Sequence, residues 1–358
     1  MTDTKPPVSE EEVRSFAKLK SLLLETVNKY EALRRIDSVT RNHFVAGLRL
    51  LEAGDESGID ELDEGLNGSY ISDRAKLSEM VRDLLDAFNK MHPKRQKVYD
   101  IALIVANTYP ELQAVLHLKT VNDWEGFSVD PDPQVYHRAE WEAKGKRLAV
   151  VAAAQSQVGV VSAAILATKM ILRWSPDYLV MTGIAAGYRG NCGDILVPSR
   201  VFWYNSGKIS RGKIYPDPRW VDIDQRLINV IEDGKHRYVD SIRSSYPGNR
   251  PDWALEIHTG ALGTGDYVVN DSSLMEEARR VMDSAKDKDR KLIGIDMEAY
   301  GIARAAKECG DKTKVLIIKS ISDFGLNKSD EHQSYASYTS AQFFYRFATD
   351  RLIAEYSI

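Results

Sequence analysis

From Val98 onward, short apolar runs alternate with longer segments of helical periodicity, and this alternation constrains the fold more than any other feature of the chain. Three of the runs lie at residues 100–106 (DIALIVA), 147–154 (RLAVVAAA) and 314–321 (KVLIIKSI). Short, nearly continuous apolar runs are typical of strands that are buried on both faces of a sheet. Because strands alternate with helices along the chain, the sequence predicts an α/β domain.

The first 95 residues have a different pattern, with helical periodicity and no predicted strand. Apolar residues recur every three or four positions in residues 13–33 and 77–88, which predicts amphipathic helices. The acidic, glycine-rich stretch 54–68 is expected to be a loop. We therefore expect two domains: residues 1–95 form a small α-helical module without a catalytic constellation, and residues 96–358 form the α/β domain.

The composition of the 358-residue chain argues against several classes of function. A net charge of −4 gives no reason to expect nucleic acid or an anionic membrane as a partner. Two cysteines, far apart in sequence, indicate a reducing compartment rather than a disulfide framework. The histidines lack metal-ligand spacing, so no metal site is expected. No apolar run could span a bilayer and no secretory pattern is present, so we expect a cytoplasmic protein.

Polar side chains follow four of the predicted strands. Glu111 follows the first strand, Ser156 the second, and Glu298 and Asp323 follow the last two. The carboxyl ends of parallel strands meet at one crevice, so these residues should converge into an acid/base and sugar-binding site. Each residue alone also fits a structural role, such as a charge in the first helical turn or a helix cap, and only their combination points to catalysis.

Several segments resemble the purine nucleoside phosphorylase superfamily on its nucleosidase branch. They are IALIVANTYPELQAVL, QSQVGVVSAAILATKMI, SPDYLVMTGIAAG with CGDILVPS, GALGTGDYVVNDS, IGIDMEAYGIARAA and KSISDFGLNKSD, and together they span residues 101–330. The chain is similar to 5′-methylthioadenosine/S-adenosylhomocysteine nucleosidases and to related bacterial defence-effector domains. This resemblance implies a three-layer α/β domain with a central mixed sheet, an enzyme without metal or organic cofactor, and a homo-oligomer.

The resemblance also implies a role for each residue that matches the family pattern. Asp323 would be the general acid at purine N7, which makes the base a better leaving group. Glu298 would bind the ribose 2′- and 3′-hydroxyls, and Met297 would pack under the ribose. Ser156 would lie beside the water or phosphate. Glu111 would orient the attacking water, which favours hydrolysis over phosphorolysis.

Further residues would line the remainder of the pocket. Gly183 and Ser322 would complete the substrate site, and Val268 and Val269 would line the base pocket. Val268 is aliphatic where related enzymes have an aromatic residue, so base recognition is expected to use another contact such as Phe324. A basic loop would hold a 5′-phosphate chain; its residues are Lys208, Arg211 and Lys213, joined by Arg189. The alternative is that this loop is only a solvated basic loop.

The predicted function is hydrolysis of the N-glycosidic bond of an adenine nucleotide or nucleoside, with ATP cleavage to adenine and ribose 5-triphosphate in antiphage defence as its most specific form. One alternative is a salvage enzyme, either a purine nucleoside phosphorylase or a methylthioadenosine/S-adenosylhomocysteine nucleosidase. A second alternative is a non-catalytic nucleotide-binding sensor. Residues 1–95 are expected to regulate the enzyme through oligomerisation or a partner protein, against the alternative of a passive cap.

Overall fold

The computed structural model describes residues 10–352 apart from residues 34, 70, 92–97, 212, 268–271, 285–290, 311 and 326–331. The chain divides into two compact units, with the boundary between Arg95 and Gln96. No helix in the described parts of the chain has both the length and the apolar character that crossing a membrane requires.

The first unit is a set of four helices around an apolar core. Their bounds are α1 Glu10–Ala32, α2 Ser38–Glu52, α3 Gly58–Gly68 and α4 Ile71–Met91. Helix α3 shows that the prediction of a loop over residues 54–68 is wrong. Its glycines are packing positions: a Cβ on Gly65 would lie 2.9 Å from the ring of Phe44, and one on Gly58 would lie 2.9 Å from Leu51. Leu62 is fully buried between them.

The second unit is built on a mixed sheet to which ten strands contribute among the described residues. Their bounds are β1 Ile101–Val105, β2 Glu125–Val129, β3 Asp132–Ala143, β4 Lys146–Ala154, β5 Tyr178–Gly187, β6 Ile195–Trp203, β9 Arg219–Asp222, β10 Ile257–Thr264, β11 Leu292–Asp296 and β12 Lys314–Asp323. The order is β11-β10-β6-β12-β5-β1-β4-β3-β2, with β9 on β6. A separate hairpin pairs β7 Gly207–Ser210 with β8 Lys213–Pro216.

The core strands pair in parallel, and their carboxyl ends therefore lie at one edge. Strand β1 lies between β4 and β5, and β12 pairs with β5 in the same direction. The glycine-rich segment after Met181 continues β5 as far as Gly187. Gly187 and Ala186, at the end of β5, also pair antiparallel with β11. Their small size leaves room for this second partner strand.

Helices cover both faces of this sheet. The helices of this unit are α5 Gln113–Leu116, α6 Val160–Trp174, α7 Gln225–Gly234, α8 Val239–Ser244, α9 Ser272–Ser284, α10 Ala299–Glu308 and α11 Gln333–Phe347. Thr339 of α11 donates a 2.9 Å hydrogen bond to Ser320 of β12. Successive side chains of a strand point to opposite faces, so Lys319 points to the other face, where α10 begins. The prediction of a three-layer α/β fold with a central mixed sheet is confirmed.

Candidate active site

A cavity of about 300 Å³ lies at the carboxyl ends of the central strands. Five residues predicted from the sequence line it: Glu111, Met297, Glu298, Ser322 and Asp323. They come from the segment after β1, the junction of β11 with α10, and the end of β12. The fold therefore brings together residues that are more than 200 positions apart in the chain, as expected for the crevice edge of an α/β sheet.

Glu111 is buried and held by main-chain donors. Its Oε2 accepts hydrogen bonds from the N–H groups of Ala106 at 2.6 Å and Asn107 at 3.1 Å. Its Oε1 accepts one from the N–H of Ile184 at 2.8 Å. Burial raises the pKa of the Glu111 carboxyl, and Lys319 and the three N–H donors work in the opposite direction. A fixed carboxylate with a raised pKa is suited to accept a proton from a bound water.

Gly183 makes room for Glu111. Its φ of +153° is rare for residues with a side chain, and a Cβ at this position would lie 2.8 Å from the Glu111 Cδ atom. Gly183 lies behind the carboxylate, whereas Ile184, Ala185 and Ala186 line the cavity. Gly183, which the sequence predicted to bind substrate, therefore makes room for the Glu111 carboxylate and does not itself line the cavity.

Glu298 shares a buried ion cluster with Asp296 of β11 and Lys319 of β12. Lys319 Nζ lies 3.2 Å from Glu298 Oε2 and 3.3 Å from Asp296 Oδ2. The second oxygen of Glu298 accepts the N–H of Gly159 at 3.2 Å. Burial raises the pKa of Glu298 to about 7, with Asp296 and Glu111 adding to the rise and Lys319 opposing it.

Asp323 ends β12 at the cavity rim. Ser322 Oγ donates to Asp323 Oδ2 at 2.9 Å, and the N–H of Gly325 donates to Oδ1 at 2.8 Å. Ser322 is itself buried, and its hydroxyl also lies 3.4 Å from the carbonyl oxygen of Ala185. These contacts hold a half-exposed carboxyl group at the lining of the cavity.

Other predicted site residues are placed outside this cavity or cannot be placed. Ser156 is exposed, and neither it nor the exposed Phe324 lines the cavity. Val268 and Val269 lie outside the described residues. The cations expected to hold a phosphate chain, Lys208, Arg211 and Arg189, are exposed and do not line the cavity either. The side chain of Lys213 lies outside the described residues.

One cluster could offer three ligand atoms to a metal ion in the part of the chain that is described. Asp194, Glu256 and His258 bring these atoms within 4.8 Å of one another. The Asp194 carboxylate already accepts the N–H groups of Asn191 and Glu256 and lies 2.9 Å from the His258 ring. These bonds fix the loop before β6, so the cluster has a structural explanation.

The α/β unit matches the model of a known protein family. The family model of the phosphorylase superfamily matches residues 100–353. The chain belongs to the phosphorylase superfamily. The match begins at β1 and ends beyond α11, and it therefore covers every strand that contributes to the cavity. The superfamily predicted from the sequence motifs is confirmed.

Three relatives are similar to this chain in sequence. An uncharacterized protein of Sinorhizobium fredii is 31% identical over 264 residues, which are 71% of this chain and 62% of that protein. The 5′-methylthioadenosine/S-adenosylhomocysteine nucleosidase of Bacillus velezensis is 27% identical, over 49% of this chain and 69% of that enzyme. ATP nucleosidase Cap17 of Escherichia coli is 26% identical, over 53% of this chain and 39% of that enzyme.

The Streptococcus pneumoniae nucleosidase of the methylthioadenosine type, solved with 8-aminoadenine, has the same fold. The TM-score is 0.53 at 20% identity, over 70% of this chain and 99% of that one. This chain spans about three fifths of the Sinorhizobium protein and two fifths of the ATP nucleosidase.

Several residues at the site were not predicted from the sequence. Lys319 and Asp296 form the ion cluster with Glu298, and Tyr267 lines the cavity as an exposed aromatic residue. A signal for Lys319 was present: a lysine inside the apolar run of residues 314–321 must be paired if the strand is buried.

Proposed function

We propose that the α/β unit hydrolyses the N-glycosidic bond of an adenine nucleoside or nucleotide. The observation that carries this proposal is the convergence of Glu111, Glu298 and Asp323 on one cavity. The relatives named as nucleosidases support it, because their similarity extends over about half of this chain. A crevice with several carboxyl groups suits a reaction that needs a proton donor, a sugar contact and a base for water.

Each of the three carboxyl groups has a separate role in the proposed reaction. Asp323, in its protonated form, donates to purine N7 while the bond between N9 and C1′ breaks, so the electron pair leaves on a neutral base. Glu298 accepts hydrogen bonds from the ribose hydroxyls, which become better donors as the sugar gains positive charge. Glu111 accepts a proton from water as the water oxygen bonds to C1′. Met297 supplies an apolar surface for the sugar.

The nucleotide form of the substrate rests on a basic hairpin and on one relative. Lys208 and Arg211 lie on the β7–β8 hairpin, where Arg211 is the exposed turn residue with φ +50°. The relative Cap17 is named as a nucleosidase that acts on ATP. We therefore propose ATP as the preferred substrate, with the hairpin cations binding the phosphate chain. A role in antiphage defence stays a prediction.

The test is release of free adenine from a panel of substrates. The purified chain is incubated with ATP, AMP, adenosine and methylthioadenosine, each with and without inorganic phosphate, and the products are separated by chromatography. Adenine from ATP without phosphate is expected. Adenine from the nucleosides alone would make this a salvage nucleosidase, and a phosphate requirement would make it a phosphorylase. Nucleotide binding without any adenine would favour a sensor.

We propose that the chain forms a homo-oligomer through α6. Four apolar residues at the start and on the outer side of this helix are exposed: Val158, Val161, Ile165 and Leu172, at 51%, 68%, 52% and 44%. Val158 also lines the cavity, so a second copy on this face would lie beside the substrate. Light scattering should give a multiple of 40.3 kDa for the wild type. Ile165→Glu should reduce the mass, whereas Val121→Glu, at another exposed apolar site, should not.

The helical unit is proposed to control assembly or to dock a partner protein. Its core is apolar and closed, yet Val13, Leu22, Leu33 and Val39 remain exposed. A version that lacks residues 1–95 should differ from the full chain in mass by light scattering, in adenine release, or in both. If neither changes, the unit is a passive cap. We propose a cytoplasmic location, where the thiols of Cys192 and Cys309 would stay reduced.

A further inference from the structure

Lys319 is a fully buried lysine on a central strand of the sheet. It pairs with Gly183 across β12 and β5, so it points to the face on which the Glu111 carboxylate lies. A buried ammonium group costs several kcal/mol unless charges and hydrogen bonds compensate it. Purely as a packing residue in an apolar strand, a lysine is a poor choice, and its surroundings indicate another reason for its presence.

Acidic groups from three different elements face Lys319. Asp296 ends β11, Glu298 begins α10, and Glu111 follows β1. The first two lie at 3.3 Å and 3.2 Å from Nζ, and Glu111 acts at longer range. Burial opposes the charged form of Lys319, but the three carboxylates outweigh burial and raise its pKa. The ammonium group therefore stays charged throughout the neutral range.

The cluster continues into a chain of hydrogen bonds that fixes its geometry. Thr264 Oγ1 donates to Asp296 Oδ1 at 2.8 Å and accepts the N–H of Tyr300 at 3.0 Å. Asp296 Oδ2 accepts the N–H of Ala299 at 2.9 Å. At the other end, Glu298 accepts the N–H of Gly159. Three strand ends and the segments that begin α6 and α10 are thus connected through one ammonium group.

We propose that Lys319 is a positioning residue, whose ammonium group fixes the Glu298 carboxylate in the orientation and charge state that bind the ribose hydroxyls. This inference rests on the proposed function of Glu298. Asp296 also contributes to this arrangement, because it orients the ammonium group of Lys319. Lys319 is therefore a counter-ion that Asp296 and Glu298 share. Lys319 itself does not contact the substrate.

The charge balance predicts opposite effects for two substitutions. Removing the lysine in Lys319→Met takes away the group that lowers the pKa of Glu298, so the acidic limb of the kcat/KM profile should move to higher pH. Removing a negative neighbour in Asp296→Asn should move the same limb to lower pH. Lys319→Arg keeps the charge and should leave the limb within about half a pH unit of the wild type.

Adenine release from the preferred substrate is measured from pH 5 to pH 9 for the wild type and the three variants. At pH 7, Lys319→Met should lose about 10- to 100-fold in kcat/KM, the effect of one charged hydrogen bond, and Lys319→Arg should recover most of it. Limbs that coincide for Lys319→Met, Asp296→Asn and the wild type would overturn the proposal. If Lys319→Met does not fold, the test rests on Asp296→Asn: the acidic limb of its kcat/KM profile should lie at lower pH than that of the wild type, and an unchanged limb would overturn the proposal.

Thermal unfolding provides a readout that does not depend on activity. A raised folded-state pKa for Glu298 means that its contribution to stability is present below its unfolded pKa of about 4.5 and lost as pH rises through 7. In Lys319→Met this loss extends to higher pH, so the Tm deficit relative to the wild type should grow from pH 5.5 to pH 8.5. A deficit that is constant with pH would show that Lys319 only packs. A wild type that releases no adenine would refute the proposed function and leave this test intact.

Discussion

Glu111 occupies the space that the missing side chain of Gly183 leaves free. The Glu111 Oε1 atom accepts the N–H of Ile184, the residue next to this glycine, and its Cδ lies 2.8 Å from where a Cβ on Gly183 would be. The glycine-rich end of β5 therefore both supplies a hydrogen bond to the carboxylate and allows it to come close to the main chain.

Gly183→Ala should inactivate the enzyme while the fold is retained. The new methyl group would displace Glu111, and a shift of about 1 Å in a catalytic group can cost about 100-fold in rate. The matched control is Gly145→Ala, which also has a positive φ of +79° but nothing within 4 Å of the new Cβ. Adenine release and far-UV circular dichroism are compared. Equal activity of the two variants would refute the role of Glu111.

Asp323→Asn should lower kcat/KM by about 100-fold or more, because an amide cannot transfer a proton to N7 and general acid catalysis contributes about 10²- to 10⁴-fold. The control is Asp233→Asn, an exposed carboxylate that pairs with Arg351 at 2.9 Å, where surface pairs contribute little. Steady-state rates with the preferred substrate are measured for both. Wild-type activity in Asp323→Asn would mean that another group protonates the base.

The double substitution Lys208→Ala with Arg211→Ala tests the phosphate-binding hairpin. If these cations hold the phosphate chain, kcat/KM for ATP should fall by about 10- to 100-fold and that for adenosine should not change. Lys146→Ala, at the amino end of β4 and thus away from the cavity, serves as the control. Equal losses with both substrates would indicate a structural effect, and no loss would make the hairpin a solvated loop.

The sequence predicted the fold well because the central strands are buried on both faces and therefore nearly apolar throughout. The same reasoning failed for residues 125–143, where β2 and β3 form a hairpin at the edge of the sheet with exposed residues on one face. It also failed for α3, because glycines such as Gly65 are recognisable as packing positions only once Phe44 is placed against them.

The candidate site could be predicted only in part. Glu111, Glu298 and Asp323 were identified because strand ends and family motifs mark them, and all three line one cavity. Lys319 was overlooked because it lies inside a strand, where periodicity carries no information about charge pairing. Its partners Asp296 and Glu298 are 23 and 21 residues away in sequence, and their contact depends on the order and directions of the strands. Strand β12 is parallel to β5 and β11 is antiparallel to it, which only the structure gives.

Hydrolysis by water is the central claim, and isotope transfer tests it most directly. The wild-type chain is incubated with ATP in ¹⁸O-labelled water without phosphate, and the products are analysed by mass spectrometry. The account predicts free adenine together with ribose 5-triphosphate that carries one ¹⁸O atom at C1′. A reaction that requires phosphate and yields a 1-phosphorylated sugar without label would contradict it.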